Sequence, residues 1–253
     1  MGAVLAVDLG NSEAKLGLVE GSTLQGVTRV PTAELRALHT GGKLLEAAPF
    51  LQDLIAGHPP VALGSVVSWA GARIAALLTS LGCAVHPFTS LDHFGLRIEY
   101  EHGEPGVDRV AACAEAFART GGPLLLVGVG TAVHTNVVTA DGVYLGGAIM
   151  PGLRLMAESL SLGTDQVRLI DPGVPRRAIG HSTPECAEIG VYHGWLGGAL
   201  RLIEETRKEL GGAPHLWLTG GQSRWLEPFL EEAHVEADLA LFGLAGAFNR
   251  RFR

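Results

Sequence analysis

Two short apolar runs, each stopped by a glycine turn bearing small polar residues, occupy corresponding places in the two halves of the chain. Residues 4–7 lead into Asp8-Leu9-Gly10-Asn11-Ser12, and residues 124–127 lead into Gly128-Val129-Gly130-Thr131. Further strand patterns follow each turn, over 15–19 and 23–30 in the first half and over 133–138 and 143–149 in the second. Three strands joined by tight turns predict an antiparallel meander at the edge of a mixed sheet. Helical periodicity then covers 42–55, 71–81 and 108–118, and later 153–161, 185–210, 222–232 and 239–250. Buried strands are expected at 61–67 and 216–219. A pattern that repeats once per domain predicts a duplicated α/β fold. Thr120-Gly121-Gly122-Pro123 punctuates the chain, so the expected domains are 1–119 and 120–253. Two such domains facing each other would form a cleft, with a glycine hairpin from each pointing into it.

Composition narrows the partners. The chain has 253 residues, 47% of them hydrophobic, enough for one large core or two ordinary ones. A net charge of −7 gives no electrostatic reason to expect nucleic acid or an anionic membrane. No apolar run approaches the ~20 residues that span a bilayer. The chain also opens directly on a strand pattern rather than a cleavable apolar stretch. These features predict a soluble cytoplasmic protein. Cys83, Cys113 and Cys186 are widely spaced and odd in number, which predicts buried, reduced thiols.

The first glycine turn is the most informative segment. A carboxylate at the end of a buried strand is costly unless a cation or hydrogen bonds compensate it. Gly10 removes the side chain where a phosphate would approach the backbone, and Asn11 and Ser12 offer short polar groups and N–H donors. Asp8 could then hold a hydrated Mg²⁺ on the β- and γ-phosphates of a nucleotide. The same residues also fit an ordinary β-turn with an Asx cap. Gly106-Val107-Asp108-Arg109 precedes a helix. Asp108 there fits either a helix cap or a general base facing a substrate hydroxyl. Arg109 offers a fork of donors to a carboxylate or phosphate. The run from Gly146 to Gly152, and Leu218-Thr219-Gly220-Gly221, both read as strand, glycine turn and helix start, a setting suited to anions. The Gly41-Gly42-Lys43 stretch fails as a P-loop, and Gly128-Val129-Gly130 lacks the third glycine of a dinucleotide fingerprint.

Taken in order, Asp8-x-Gly10-Asn11-Ser12, Gly106-x-Asp108-Arg109, Gly130-Thr131-Ala132, Gly146-Gly147-x-Ile149-x-Pro151-Gly152 and Thr219-Gly220-Gly221 resemble the type III pantothenate kinase family over essentially the whole chain. The resemblance implies duplicated ribonuclease H-like domains of the actin-like ATPase type, with mixed sheets flanked by helices. It implies ATP-dependent phosphorylation of pantothenate to 4'-phosphopantothenate, the first step of coenzyme A biosynthesis. It assigns ATP binding to Asp8, Leu9, Gly10, Asn11, Ser12, Glu13, Ala14, Lys15 and Thr131, with Asp8 reaching Mg²⁺ through the nucleotide. Tyr100, Gly106, Val107, Asp108, Arg109 and Thr183 become pantothenate-binding residues, with Asp108 the proton acceptor. A homodimer and a monovalent cation, K⁺ or NH₄⁺, are also implied.

The chain departs from the family in one place. Where the family signature reads Asp-x-Gly-Thr-Ala-Thr-Thr-x-Asp, this sequence has Gly128, Val133, His134 and Asn136 in place of the first Asp, the two Thr after Ala and the last Asp. The first Asp is the family's potassium ligand, so Gly128 removes a carboxylate from that site. The expected activity is then independent of potassium, the alternative at this site being an ion held by backbone carbonyls. The alternatives are a catalytically impaired relative with a binding or regulatory role, or a kinase of the same superfamily acting on a sugar or polyol.

Overall fold

The apolar runs become strands wherever glycine or proline punctuates them. The computed structural model describes residues 2–252. The first stretch contains β1 (Val4–Leu9), β2 (Glu13–Glu20), β3 (Thr23–Pro31), α1 (Gly41–Ala47) and α2 (Leu51–Ile55). It continues through β4 (Val61–Ser65), α3 (Ser68–Ser80), β5 (Val85–Phe88), β6 (Arg97–Ile98) and α4 (Val107–Thr120). Next come β7 (Leu124–Val129), β8 (Ala132–Val138), β9 (Val143–Gly146), β10 (Ile149–Pro151) and α5 (Leu153–Leu162). The chain ends with α6 (Thr183–Leu210), β11 (His215–Thr219), β12 (His234–Val235) and α7 (Leu239–Phe252).

The chain gathers into two compact units. The first holds the residues up to Gly122, together with Val138–Leu145 and everything from Asp238 onward; the second holds Pro123–Val137 and Gly146–Ala237. In the first unit the sheet order is β3-β2-β1-β4-β5. The β3-β2-β1 part is the expected antiparallel meander, and β4 and β5 extend it in parallel. Leu5, Val7 and Leu9 enter an apolar cluster with Leu35, Leu44, Leu51, Ile74 and Leu78 from the 3-10 turn and helices that follow. Strand residues alternate faces. Ala6 and Asp8 therefore lie on the other face, where α4 and α7 pack. The helix pair itself is close: a Cβ at Gly243 would fall 1.9 Å from the Ala111 carbonyl oxygen.

The second unit contains the strand order β12-β11-β7-β8, with β10 pairing β8 from the side. Leu125, Val127 and Val129 of β7 join Leu216 and Leu218 of β11 in a core closed by Leu153, Val191, Tyr192 and Trp195. By the same alternation, Leu126 and Gly128 face away from α5 and α6.

Some expected elements come out differently. The helix predicted over 222–232 is two 3-10 turns, Ser223–Trp225 and Glu227–Phe229. Pro228 lies in that stretch and can neither donate to nor fit inside a continuing helix. The strand predicted over 143–149 breaks into β9 and β10, because Gly146 and Gly147 adopt φ of 99° and 159°. The helix predicted over 42–55 is interrupted around Pro49, leaving two short helices. All three cysteines are free, but Cys186 is exposed rather than buried, in the first turn of α6.

Candidate active site

In the first unit, β1 and β4 run parallel and pair Asp8 with Gly64. A Cβ on Gly64 would meet Val107 and Leu244 at 3.3 Å and 2.9 Å, so the start of α4 lies directly over this strand pair. The acids Asp8 and Asp108 are thereby brought to one face, at the carboxyl ends of parallel strands. Open α/β sheets place their ligands at those ends.

Asp108 does not cap its helix. Gly106 is the N-cap residue and no side chain bonds to the first turn. Instead, Asp108 Oδ1 is buried without a hydrogen-bond partner. An orphaned carboxylate oxygen is expensive, and one at the carboxyl end of a sheet suits a place that a ligand completes. Asp8 carries the matching strain. Its pKa is pushed up from 3.8 to about 7, first by burial and next by the charge of Asp108; Asp238 and Glu13 add to the rise, and Lys15 opposes it.

The turn after β1 is held open from behind. The Gly10 N–H donates to the Glu13 carbonyl (3.0 Å), and Thr32 at the end of β3 donates its hydroxyl to the Gly10 carbonyl (2.8 Å) and its N–H to the Ser12 carbonyl (2.9 Å). The Gly10 amide is therefore committed internally, and the N–H donors expected to serve a phosphate are those of Asn11 and Ser12. Asn11 and Ser12 stand exposed at the tip. Leu9 and Ala14 are buried in the core, so any ligand contact from them is by backbone. Lys15 on β2 lies 3.6 Å from Asp238, which also accepts from Arg29 at 3.3 Å; Arg29 in turn stands 3.6 Å from Glu13.

Arg109 is buried on α4. Tyr144 on β9 is fully buried, and burial, then the neighbouring Cys113, raises its hydroxyl pKa; the charges of Arg109, Tyr100 and Asp108 also act on it. Its ring lies 6.5 Å from that of Tyr100. Tyr100 is 40% exposed and lines a groove of about 670 Å³ with Glu99, Glu101, His102 and Leu145. Among the sequence-predicted residues, Asp8 to Lys15, Tyr100 and Gly106 to Arg109 all fall in the first unit. Asp238 and Tyr144 were missed. Asp238 carries no local signal beyond preceding a helix, and Tyr144 reads in sequence as an ordinary strand residue.

Thr131, Gly128 and Thr183 belong to the second unit. Thr131 is exposed at the tip of the β7–β8 turn, where its carbonyl accepts from the Gly152 amide (2.9 Å). Gly128 sits in β7 beside Thr219 of β11. Thr183 is exposed at the first position of α6, whose N-cap Ser182 accepts from the Glu185 amide.

Among solved structures, the chain resembles a protein of Campylobacter jejuni described as a Baf family transcriptional activator, with a TM-score of 0.62 at 19% identity, covering 98% of each chain. It also resembles a ROK family glucokinase from Streptomyces griseus, solved with glucose and AMPPNP, with a TM-score of 0.50 at 12% identity over 97% of this chain and 98% of the other. The fold is thus that of the sugar kinases of the actin-like ATPase type. The family model for type III pantothenate kinase matches residues 4–205. A type III pantothenate kinase of Thermomicrobium roseum is 32% identical over 258 aligned positions, which cover 99% of this chain and 98% of that protein. The chain belongs to the type III pantothenate kinase family.

Proposed function

We propose that the protein transfers the γ-phosphoryl group of ATP to the terminal hydroxyl of pantothenate, giving 4'-phosphopantothenate at the entry to coenzyme A biosynthesis. The observation that carries this reading is the buried, unpartnered Oδ1 of Asp108 on the face that also holds Asp8. A general base must lie within hydrogen-bond reach of the proton it removes. Asp108 accepts the hydroxyl proton as the new O–P bond forms, while the bond from the γ-phosphorus to the bridging oxygen breaks and its electrons leave with ADP. Arg109 and Tyr100 orient the acceptor. The exposed tip at Asn11 and Ser12, with Lys15 behind it, binds the phosphates.

The kinase family works with ATP and a divalent metal, and the donor set here fits Mg²⁺. No group of three or more His, Cys, Asp or Glu side chains forms a ready metal cage among the described residues. Mg²⁺ is commonly held by one or two carboxylates plus substrate phosphates rather than by a protein cage. Asp8 supplies such a carboxylate, and its raised pKa marks a site where negative charge awaits a cation. Bound with the nucleotide, the metal would neutralise charge on the transferring phosphoryl group. No helix among the described residues is long and apolar enough to cross a membrane. A cytoplasmic homodimer is proposed on the family relationship, and sedimentation of the purified protein tests the dimer.

The direct test is to incubate purified protein with ATP, Mg²⁺ and pantothenate beside a panel of sugars. Formation of 4'-phosphopantothenate that disappears in Asp108→Asn is expected. Faster turnover of a sugar, or unchanged turnover in Asp108→Asn, would sink the reading.

A further inference from the structure

In the second unit, the space beside β7 that a side chain at position 128 would enter is already taken. A Cβ built on Gly128 would fall 2.1 Å from Cε1 and 2.2 Å from Nε2 of His134. Real contacts are never that short, so residue 128 can be only glycine while His134 holds this position. His134 is itself fixed. The Asn136 side-chain amide donates to His134 Nδ1 at 2.7 Å, and the same nitrogen reaches the Leu126 carbonyl at 3.4 Å. Asn136 is fully buried. A carboxylate at 136 could donate to neither acceptor and would set an oxygen against the Leu126 carbonyl. An imidazole that accepts at Nδ1 is neutral and carries its proton on Nε2. Val133, where a hydroxyl would be expected from the family pattern, lies 1% exposed in the apolar core under α5 and α6.

Gly128, His134 and Asn136 therefore form one mutually dependent arrangement, with Val133 turned to the core beside them. A hard monovalent cation needs several oxygen ligands. Here glycine supplies no side chain, valine an apolar one, and the amide of Asn136 turns its donor nitrogen towards both neighbours. The residues present do not fit a K⁺ or NH₄⁺ site. We propose that the imidazole of His134 is the built-in occupant of this place, and that the chain needs no monovalent cation for stability or turnover. The proposal rests on the kinase reading only where turnover is measured; its structural arms do not.

The full-length protein is compared in chloride salts of potassium, ammonium, sodium and tetramethylammonium at equal ionic strength. The expected result is one melting temperature in all four and turnover constant to within about twofold, because a ligand stabilises only a fold that binds it. A higher melting temperature in potassium or ammonium than in tetramethylammonium, or a turnover gain of about tenfold or more, overturns the proposal. Melting requires no catalysis, so a protein that fails to phosphorylate pantothenate still tests it. The second arm probes the packing. Gly128→Ala is expected to lower the melting temperature or prevent folding, and Gly128→Ala/His134→Thr to restore it. A double variant no more stable than Gly128→Ala would show that His134 does not hold that space. The third arm rebuilds the family pattern. The variant Gly128→Asp/His134→Thr/Asn136→Asp should melt higher in potassium than in tetramethylammonium. If it folds and shows no such difference, the lost cation site does not lie here and the proposal falls.

Discussion

The two glycine hairpins are the same local structure used in opposite ways. Residues 4–11 and 124–131 align by position, with Asp8 against Gly128 and Gly10 against Gly130. In both, the odd-numbered strand residues enter a core and the even-numbered ones face the other side. On that other side the first hairpin concentrates charge. Asp108, Asp238 and Glu13 all raise the pKa of Asp8, and Lys15 opposes that rise only in part. The second hairpin has replaced charge by packing, with an imidazole over a glycine and an amide bridging two acceptors. A duplicated scaffold thus keeps its backbone while one copy is left electrostatically incomplete and the other closes upon itself. Incompleteness of that kind marks the copy that awaits a ligand.

Breaking the contrast at its charged end has the largest expected effect. Asp108→Asn leaves the shape of the first unit intact but removes the proton acceptor. Turnover should fall by about 10²–10⁴-fold, the usual worth of a positioned general base, with ATP affinity little changed. Steady-state kinetics at saturating ATP measures this. A loss of less than tenfold would mean that Asp108 accepts no proton (about 1.4 kcal/mol or less).

Asp8 gives the next largest effect, and its sign is specific. Its folded pKa of about 7 lies above the ordinary 3.8. Between those values the folded chain holds a proton that the unfolded chain has released. Stability from this group is therefore complete below about pH 4 and is lost as pH rises through about 7. Asp8→Asn cannot ionise and should be more stable than the parent at pH 8, by on the order of 2 kcal/mol after allowing for solvent at the strand end. At pH 4 the two should match. The variant should also lose most of its kinase activity, since stability and function pull apart at a strained site. Denaturant unfolding at the two pH values decides; an equal gap at both would remove Asp8 from the titration.

Much of this was visible before any coordinates. A carboxylate ending an apolar strand, followed by glycine, marks a turn whether it caps that turn or serves a ligand, so the turn at Asp8 and the meander behind it were legible while the role of Asp8 was not. Asp108 was ambiguous in sequence, because an acid in a first helical turn also suits a cap; only the orphaned Oδ1 separates the two. Elements that failed did so where one residue overrides a periodic pattern: Pro228 broke a predicted helix, and Gly146 with Gly147 broke a predicted strand. Long-range pairing was invisible. No local pattern tells that α7, last in the chain, packs on α4, or that Asp238 just before it meets Lys15. The link between Gly128 and His134 was half legible. Both departures stood in the sequence six positions apart around a turn, yet only the coordinates show that one permits the other.

A comparison among glycines sharpens the contrast at intermediate size. None of Gly10, Gly128 and Gly130 has a positive φ. A Cβ on Gly10 would meet nothing nearer than 3.6 Å, and one on Gly130 nothing within 4 Å, whereas one on Gly128 collides with the His134 ring. Gly10→Ala and Gly130→Ala should therefore melt like the parent. Gly128→Ala should lose about 1–3 kcal/mol, as overpacked sites do. Equal melting of all three would place the His134 ring elsewhere.

The smallest effect tests how the charged hairpin holds its one cation. Lys15 and Asp238 leave 13% of each side chain exposed and lie 3.6 Å apart, and Arg29 shares the same carboxylate oxygen at 3.3 Å. Such a partly shielded pair is worth about 0.2–1 kcal/mol, which corresponds to a change of about 1.4- to 5-fold. If Asp238 aims Lys15 at the nucleotide, Asp238→Asn should raise the KM for ATP within that range and leave kcat near its parent value. Asp238 is also one of the charges that raise the Asp8 pKa, so its removal should move the Asp8-linked fall in stability to lower pH. A merely structural role predicts neither the KM-specific loss nor the shifted profile. Asp238→Glu, which keeps the charge, should recover the pH profile even if the altered reach leaves KM raised. A variant that lowered kcat and left KM and the profile untouched would detach Asp238 from this hairpin.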